Sequence, residues 1–431
     1  MSEGRDGRDL KTPEAAHEIA VALLTGGGDR PYAFGLATAL MAKGAAVDLI
    51  AGDELDGPEF HGKPGVRFLN LRGDQRPGAS MPKKAIRVTA YYARLVRYAA
   101  AAPPGIFHIL WNNRWEFFDR TLLMLYYRFL GKRIVLTAHN VNAGRRDSKD
   151  SALNRLTLRF QYRLADHIFV HTKMMKRELI EEFGARRDRV TVIPFGINNA
   201  VPNTRLTPGE ARERLGIRAG EKALLFFGNI APYKGLEYLV AAFRQVLAAS
   251  GDYRLIIAGR PKRGDGYWNA IRGFLRDDVE KGRVLLRAEF IPDDATEIYF
   301  KAADVLVLPY RHVYESGVLF LGYSFGLPVL AADVGSLKDE IAEGKTGFVF
   351  RPEEPADLAK AIDRYFASEL YQNLSSRRQE IREYATLRHS WDVVGEATLS
   401  VYAGLLRRPS GAKSSSDHNA PNVSVDARAG L

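Results

Sequence analysis

The segment 304–333, DVLVLPYRHVYESGVLFLGYSFGLPVLAAD, most constrains what this 431-residue chain can fold into. Its residues Val305, Leu306, Val307 and Leu308, ended by Pro309, read as a strand buried on both faces. A polar loop follows, and Ser316-Gly317-Val318 opens an apolar helix that Gly326-Leu327-Pro328 breaks. A second buried strand, Val329-Leu330-Ala331-Ala332, comes next. In a parallel sheet, such a strand-to-helix junction sets free backbone N–H groups and the positive end of the helix dipole at the carboxyl edge. That edge is where open α/β sheets take phosphate-bearing ligands. Gly322 and Ser324 are small and let another element approach this helix closely.

The same alternation runs through the rest of the chain. A predicted strand at 18–24 ends in Thr25-Gly26-Gly27-Gly28-Asp29, and a helical pattern (Phe34, Leu36, Ala37, Leu40, Met41) leads to a strand at 47–51. The three glycines lack G-x-G-x-x-G spacing, so this loop is either a phosphate or sugar approach site or a plain tight turn. Further strands are expected at 106–111, 133–137, 167–171 and 190–194, then at 223–227, 253–258, 284–287, 304–309 and 328–332. The polar connector 204–217 marks a boundary between two units. The expected fold is therefore α/β, with two Rossmann-like, doubly wound domains at 18–203 and 204–408, the second carrying a C-terminal helix. Residues 1–17 and 409–431 are expected to be disordered.

The formal charge of +11 points to an anionic partner or working surface. There is no cysteine, which removes disulfides, thiolate catalysis and cysteine metal sites. The first residues hold no signal-peptide core, and no apolar run reaches the ~18 residues that span a bilayer. The expected location is cytoplasmic, free or peripheral on the inner face of the membrane. Residues 81–101 form a helix with Ile86, Val88, Tyr91, Leu95 and Tyr98 in a stripe, bordered by Lys83, Lys84, Arg87, Arg94 and Arg97. It reads either as a surface helix with a solvated cationic face or as a dock for anionic lipid headgroups. Two more basic-apolar helices, at 120–132 and 154–163, fall in the same half. No aromatic-basic strand motif or recognition helix suggests nucleic acid as a partner.

Three features of the second half converge on one site. A strand ends at Gly228, and Lys234-Gly235 then opens a helix; a lysine there can neutralise phosphate oxygens beside backbone donors. Gly259 and Arg260 end another strand at the same edge. Glu315, Ser316 and Gly317 stand at the loop-to-helix junction of the 304–333 segment. In the first half, His139 and Asn140 lie just past a strand end, and His108, Trp111 and His171 mark others. Trp111 suits either a sugar-stacking wall or a buried core position. His171 is expected in the interdomain floor.

In order along the chain, GGGDRPYAFGLATALMAKGAAVDLI, LTAHNV, ADHIFVHT, VTVIPFGIN, FFGNIAPYKGLEYLVAAF, LIIAGR, AADVLVLPY and the ESGVLFLGYSFGLPVLAAD stretch resemble glycosyltransferase family 4. These are retaining enzymes of the GT-B fold. The resemblance implies a nucleotide-diphosphate sugar in the C-terminal half, bound by Gly228, Asn229, Lys234, Arg260, Glu315, Ser316, Gly317 and Val318. It implies an acceptor in the N-terminal half, near Gly27, Gly28, Trp111 and Asn140, with His139 where a family active-site histidine falls. His139, Lys234 and Glu315 are the catalytic candidates. The chain also departs from the family. Asn229 replaces an arginine five residues before the lysine, and Val313 and Leu321 stand where paired glutamates are expected. Glu315, two residues on, is the available carboxylate, so the chain reads as a variant of the family.

The resemblance implies front-face attack with the leaving diphosphate assisting, no metal and no cofactor beyond the sugar-nucleotide substrate. The expected function is sugar transfer to a glycan or lipid-linked acceptor in envelope or exopolysaccharide synthesis. Another GT-B enzyme, such as a sugar-nucleotide epimerase, and a non-catalytic glycan- or nucleotide-binding module remain alternatives. The donor's base and sugar, and the linkage formed, are not legible.

Overall fold

The computed structural model describes residues 19–73, 80–146, 150–197, 201–262 and 266–407. The terminal segments expected to be disordered lie outside them. Two wholly parallel sheets are present. The first runs β3-β2-β1-β4-β5-β6-β7, built from β1 (Ala20–Leu24), β2 (Ala46–Ala51), β3 (Val66–Asn70), β4 (Ile106–Ile109), β5 (Arg133–Thr137), β6 (His167–Val170) and β7 (Val190–Val192). The second runs β10-β9-β8-β11-β12-β13, from β8 (Lys222–Phe227), β9 (Tyr253–Ala258), β10 (Val284–Arg287), β11 (Val305–Leu308), β12 (Val329–Ala332) and β13 (Gly347–Phe350). Strand order reverses between β1 and β4 in one sheet and between β8 and β11 in the other. Crevices at such reversals are the binding positions of doubly wound sheets. Both central strands of each pair are apolar and buried, which is why their pattern was readable.

Two strands escaped the sequence reading. β3 is an edge strand with no fully buried residue, and β13 is a short edge strand that opens on Gly347. Neither carries the long apolar run that marked its neighbours.

Helix α2 (Met81–Ala101) corrects one expectation. Tyr91 and Leu95 are buried, and the Tyr98 hydroxyl donates to Asp48 at 2.7 Å. From Val88 onward the stripe therefore faces the first sheet's core, with Ile86 exposed at 68%, so of the two readings the helix fits the surface helix rather than the headgroup dock.

The last helix, Trp391–Arg407, corrects another. It was expected with the second unit, but it packs on α1 (Arg30–Ala42), and Trp391, Val394, Tyr402 and Leu405 join the first unit's core. Trp391 fits between two backbones: a Cβ at Gly35 would lie 2.0 Å from its ring, and one at Gly196 2.3 Å. The chain thus crosses between units twice, and the crossings are bonded together. Ile197 N–H donates to His389 O at 2.8 Å, and the Trp391 indole N–H donates to Ile197 O at 2.8 Å.

Candidate active site

The strand ends of the second sheet bring the lysine loop and the 304–333 segment together. Gly228 follows β8 with φ of +97°, and a Cβ there would lie 3.0 Å from Lys234 Nζ and 3.4 Å from Val318 Cγ2. Gly228, Lys234 and Val318 therefore meet. Lys234 is buried, and its ammonium lies 5.1 Å over the Tyr310 ring. Gly235, at φ +62°, turns the chain into the helix Leu236–Ala249; a Cβ there would stand 2.0 Å from Pro309 O. Only glycine permits that approach, so the lysine's position is fixed by the loop behind it.

Ser316 is the N-cap of the helix Gly317–Ser324, but its side chain does not cap it. Its Oγ lies 3.3 Å from the Tyr310 hydroxyl instead. The helix start thus keeps its backbone donors and dipole directed at the crevice. Val313 and Leu321 offer no carboxylate, and Leu321 is core. The nearby carboxyl is that of Glu315, whose Oε2 is buried without a hydrogen-bond partner. Burial, reinforced by the charge of Glu340, pushes its pKa well above the usual carboxylate range. Arg260 and Asn229 are exposed on adjacent strand ends, tied by Ile230 N–H donating to Arg260 O at 2.9 Å. The Arg260 guanidinium lies 5.9 Å from the ring of exposed Phe290, an aromatic the sequence reading passed over.

Across the crevice, the first unit presents an aromatic-histidine wall. The His139 ring stacks on Trp111 at 4.1 Å and meets Tyr32 edge-on at 4.5 Å. Its Nδ1 is 3.2 Å from Nε2 of His171, whose own Nδ1 is 3.4 Å from Ile193 O. A carbonyl only accepts, so His171 carries its proton on Nδ1 and its Nε2 accepts from His139 Nδ1–H. His139 Nε2 is left as a bare lone pair, buried and unpartnered. Burial holds the His139 pKa well below its ordinary value and lowers that of His171 to about 4. The wall is neutral.

Trp111 does not offer a free stacking face, which corrects the sugar-wall reading. His139 occupies it, and a Cβ at Gly28 would lie 2.1 Å from Trp111 Cδ2. A Cβ at Gly27 would fall 2.5 Å from an Arg72 guanidinium nitrogen. The glycines thus let the loop lie against protein groups, and Trp111 serves to hold His139. Asn140 is half-buried beside it. His108 is core, hydrogen-bonded to Tyr402 at 2.6 Å and Thr137 at 2.7 Å.

Phe195 joins the two walls, and sequence reasoning assigned it no role. Its ring lies 5.0 Å from His171, stacks on Phe320 at 5.4 Å, and would touch a Cβ at Gly317 at 3.7 Å. The motif VTVIPFGIN was visible, but its reach across the crevice was not. Two further contacts cross between units: Arg30 to Asp293 at 2.9 Å, and the Tyr314 hydroxyl donating to Glu178 at 2.6 Å. Among the described residues, no group of three or more His, Asp or Glu could hold a metal ion.

Residues 26–201 match the family model described as Glycosyltransferase Family 4, and residues 221–368 match that of Glycosyl transferases group 1. The chain belongs to glycosyltransferase family 4. This glycosyltransferase is 25% identical over 398 residues to the D-inositol 3-phosphate glycosyltransferase of Acidothermus cellulolyticus, covering 88% of this chain and 86% of the relative. Its fold is GT-B. Sucrose-phosphate synthase from Thermosynechococcus elongatus superposes with a TM-score of 0.71 at 20% identity, covering 90% of this chain and 99% of that one. HepE of Anabaena, in complex with UDP and glucose, gives 0.68 at 18% identity, with 90% and 100% covered.

Proposed function

We propose that this glycosyltransferase moves a sugar, with retention, from a nucleotide-diphosphate donor to a glycan or lipid-linked acceptor in envelope or exopolysaccharide synthesis. The convergence of Lys234, Gly228 and Val318 at two helix starts, opposite the bare Nε2 of His139, carries this reading. HepE, a fold relative, was solved with UDP and with UDP-glucose, which supports the donor class.

Lys234 and the backbone N–H groups of Ser316, Gly317 and Val318 receive the diphosphate and stabilise its charge as it leaves. Arg260 adds charge at the edge where Asn229 replaces an arginine, and Phe290 beside it offers a face for the base. The acceptor oxygen attacks C1 from the face the diphosphate leaves. The C1–O bond to phosphate breaks, the new glycosidic bond forms, and the acceptor's proton passes to the departing phosphate oxygen. No metal is needed, because the lysine and helix start supply the electrophilic stabilisation. A protonated Glu315 both donates to and accepts from a sugar hydroxyl. His139 Nε2 accepts a hydrogen bond from a hydroxyl bound between the walls, with Asn140 beside it.

Thermal shift against UDP, GDP and ADP comes first, since a bound nucleotide raises the melting temperature by mass action. With the donor base identified, proton NMR of the product reads the anomeric configuration. An inverted product, or no nucleotide stabilising the protein, overturns the proposal.

A further inference from the structure

The first unit carries an apolar surface that its core does not use. The π-helical turn Asp119–Leu123 continues into the helix Met124–Phe129, and the helix Ala152–Leu164 runs alongside. Arg120 donates to Asn154 Oδ1 at 2.8 Å near one end, and Arg128 to Leu164 O at 2.9 Å near the other. Each helix buries its inner face: Leu123, Met124 and Tyr127 on one, Thr157, Leu158 and Tyr162 on the other. Each then repeats large apolar residues on its outer face, at i, i+3 and i+7. Leu122, Leu125 and Phe129 form one row, and Leu153, Leu156 and Phe160 the other. All six are exposed, Phe129 at 87% and Leu156 at 62%. Scattered exposed leucines need no explanation, but two parallel rows on touching helices form a patch.

Its border is cationic. Exposed Arg155, Arg159 and Arg163 follow at four-residue spacing along the second helix, Arg155 pairing with Asp150 at 2.7 Å. Next on this side of the sheet, a cavity of about 370 Å³ is lined by Lys173, Lys176, Arg177 and Arg187, with Glu181 the one acid. Burial, and after it the charge of Arg187, lowers the pKa of Lys176.

We propose that the outer face of these two helices seats on an anionic lipid bilayer. The apolar rows enter the acyl boundary, and the arginines with the cation-lined cavity meet headgroup phosphates. The cationic border selects this occupant over a second copy of the chain, which would bring the same positive charge against itself. The α2 stripe takes no part, since from Val88 onward it faces the core. This deepens the reading of a lipid-linked acceptor, but docking is measured without substrates, so its failure leaves the transfer reaction standing.

The test is co-sedimentation of the full chain with phosphatidylcholine vesicles, with and without phosphatidylglycerol. The protein should bind the anionic vesicles only, and added salt should weaken that binding. Leu122→Ser, Phe129→Ser and Leu156→Ser combined should lower binding by at least about tenfold. Phe129→Ser alone should lower it measurably, and Leu387→Ser, at an exposed site on the second unit, should not. An unchanged melting curve shows that the triple variant folds. No binding by the parent, equal binding to neutral vesicles, or parent-like binding by the folded triple variant overturns the proposal. So does a dimer in sedimentation velocity that the triple variant loses without any vesicle binding.

Discussion

The two walls of the crevice are built in opposite ways. On the lysine wall, Lys234, Arg260 and Ser316 each stand in the loop or helix start that follows a strand of one sheet, two to eight residues past its end. Glycines at positive φ or in close approach hold the loops there. The histidine wall takes Tyr32 from the first turn of α1 and Trp111, His139, His171 and Phe195 from the ends of four different strands, and locks them by ring contacts. One wall positions charge through backbone geometry, the other a neutral imidazole through aromatic packing. The division suits transfer from a charged leaving group to an uncharged hydroxyl.

The largest expected effect tests the lysine wall. Lys234→Ala should lower turnover by at least ~10²-fold, as expected for one lost oxyanion-type contact. Turnover with the cognate donor measures it. An unchanged rate would leave the wall resting on backbone donors alone. Lys234→Arg should restore only part of the rate, because a planar guanidinium does not reproduce the point charge held near Gly228 and 5.1 Å over the Tyr310 ring.

Gly28→Ala tests the other wall's packing. The added Cβ would lie 2.1 Å from Trp111, pushing the ring and the His139 stacked on it. Misplacing a positioning group by about 1 Å can cost ~10²-fold, so kcat/KM should fall by that much or less. Nucleotide affinity, read by calorimetry, should stay at the parent value. A weakened nucleotide Kd would show that the walls do not act independently.

This contrast explains what could be read from the chain. The strands β8 and β11, Lys234 and the helix start at Ser316-Gly317 are local consequences of short segments, so periodicity and glycine placement revealed them. Trp111 stayed open between a sugar wall and a core position because what covers its face comes from Gly28 and His139, both remote in sequence. Phe195 and the return of Trp391 to α1 were invisible for the same reason: no local pattern encodes which distant backbone lacks a Cβ. Glu315 was legible as a carboxylate, but the burial that changes its chemistry was not.

The walls should also respond oppositely to pH. On the histidine wall, folding lowers the pKa of His171 from 6.5 to about 4, and in the core behind it that of His108 to about 3. Between those values the unfolded chain binds the extra protons, so stability falls as pH drops below 6.5, by up to about 1.4 kcal/mol per unit per histidine. On the lysine wall, folding raises the pKa of Glu315 above 4.5. There the folded state holds the extra proton, so stability falls as pH rises past 4.5. Glu315→Gln removes that loss, and its melting temperature should exceed the parent's by a margin that widens from pH 4.5 upward. A constant margin would mean that Glu315 is ionised in the empty crevice.

The smallest effects concern what holds the walls together. Tyr314 is buried and its hydroxyl serves Glu178, so Tyr314→Phe should cost about 1.5 kcal/mol, the low end for a charge-assisted bond because Arg145 still stands beside the carboxylate. Arg30→Ala should cost less. The Arg30–Asp293 pair joins two side chains that are 44% and 36% exposed, and such pairs contribute about 1 kcal/mol at most. Asp29 lies close enough to Asp293 that the loss also leaves two carboxylates facing without the guanidinium, which burial and Asp293 already make harder to ionise. The melting temperature of Arg30→Ala should therefore fall slightly at low salt and match the parent at high salt, where an exposed pair is screened. A loss that persists at high salt would make this pair a true clamp and would tie the lysine and histidine walls into one unit.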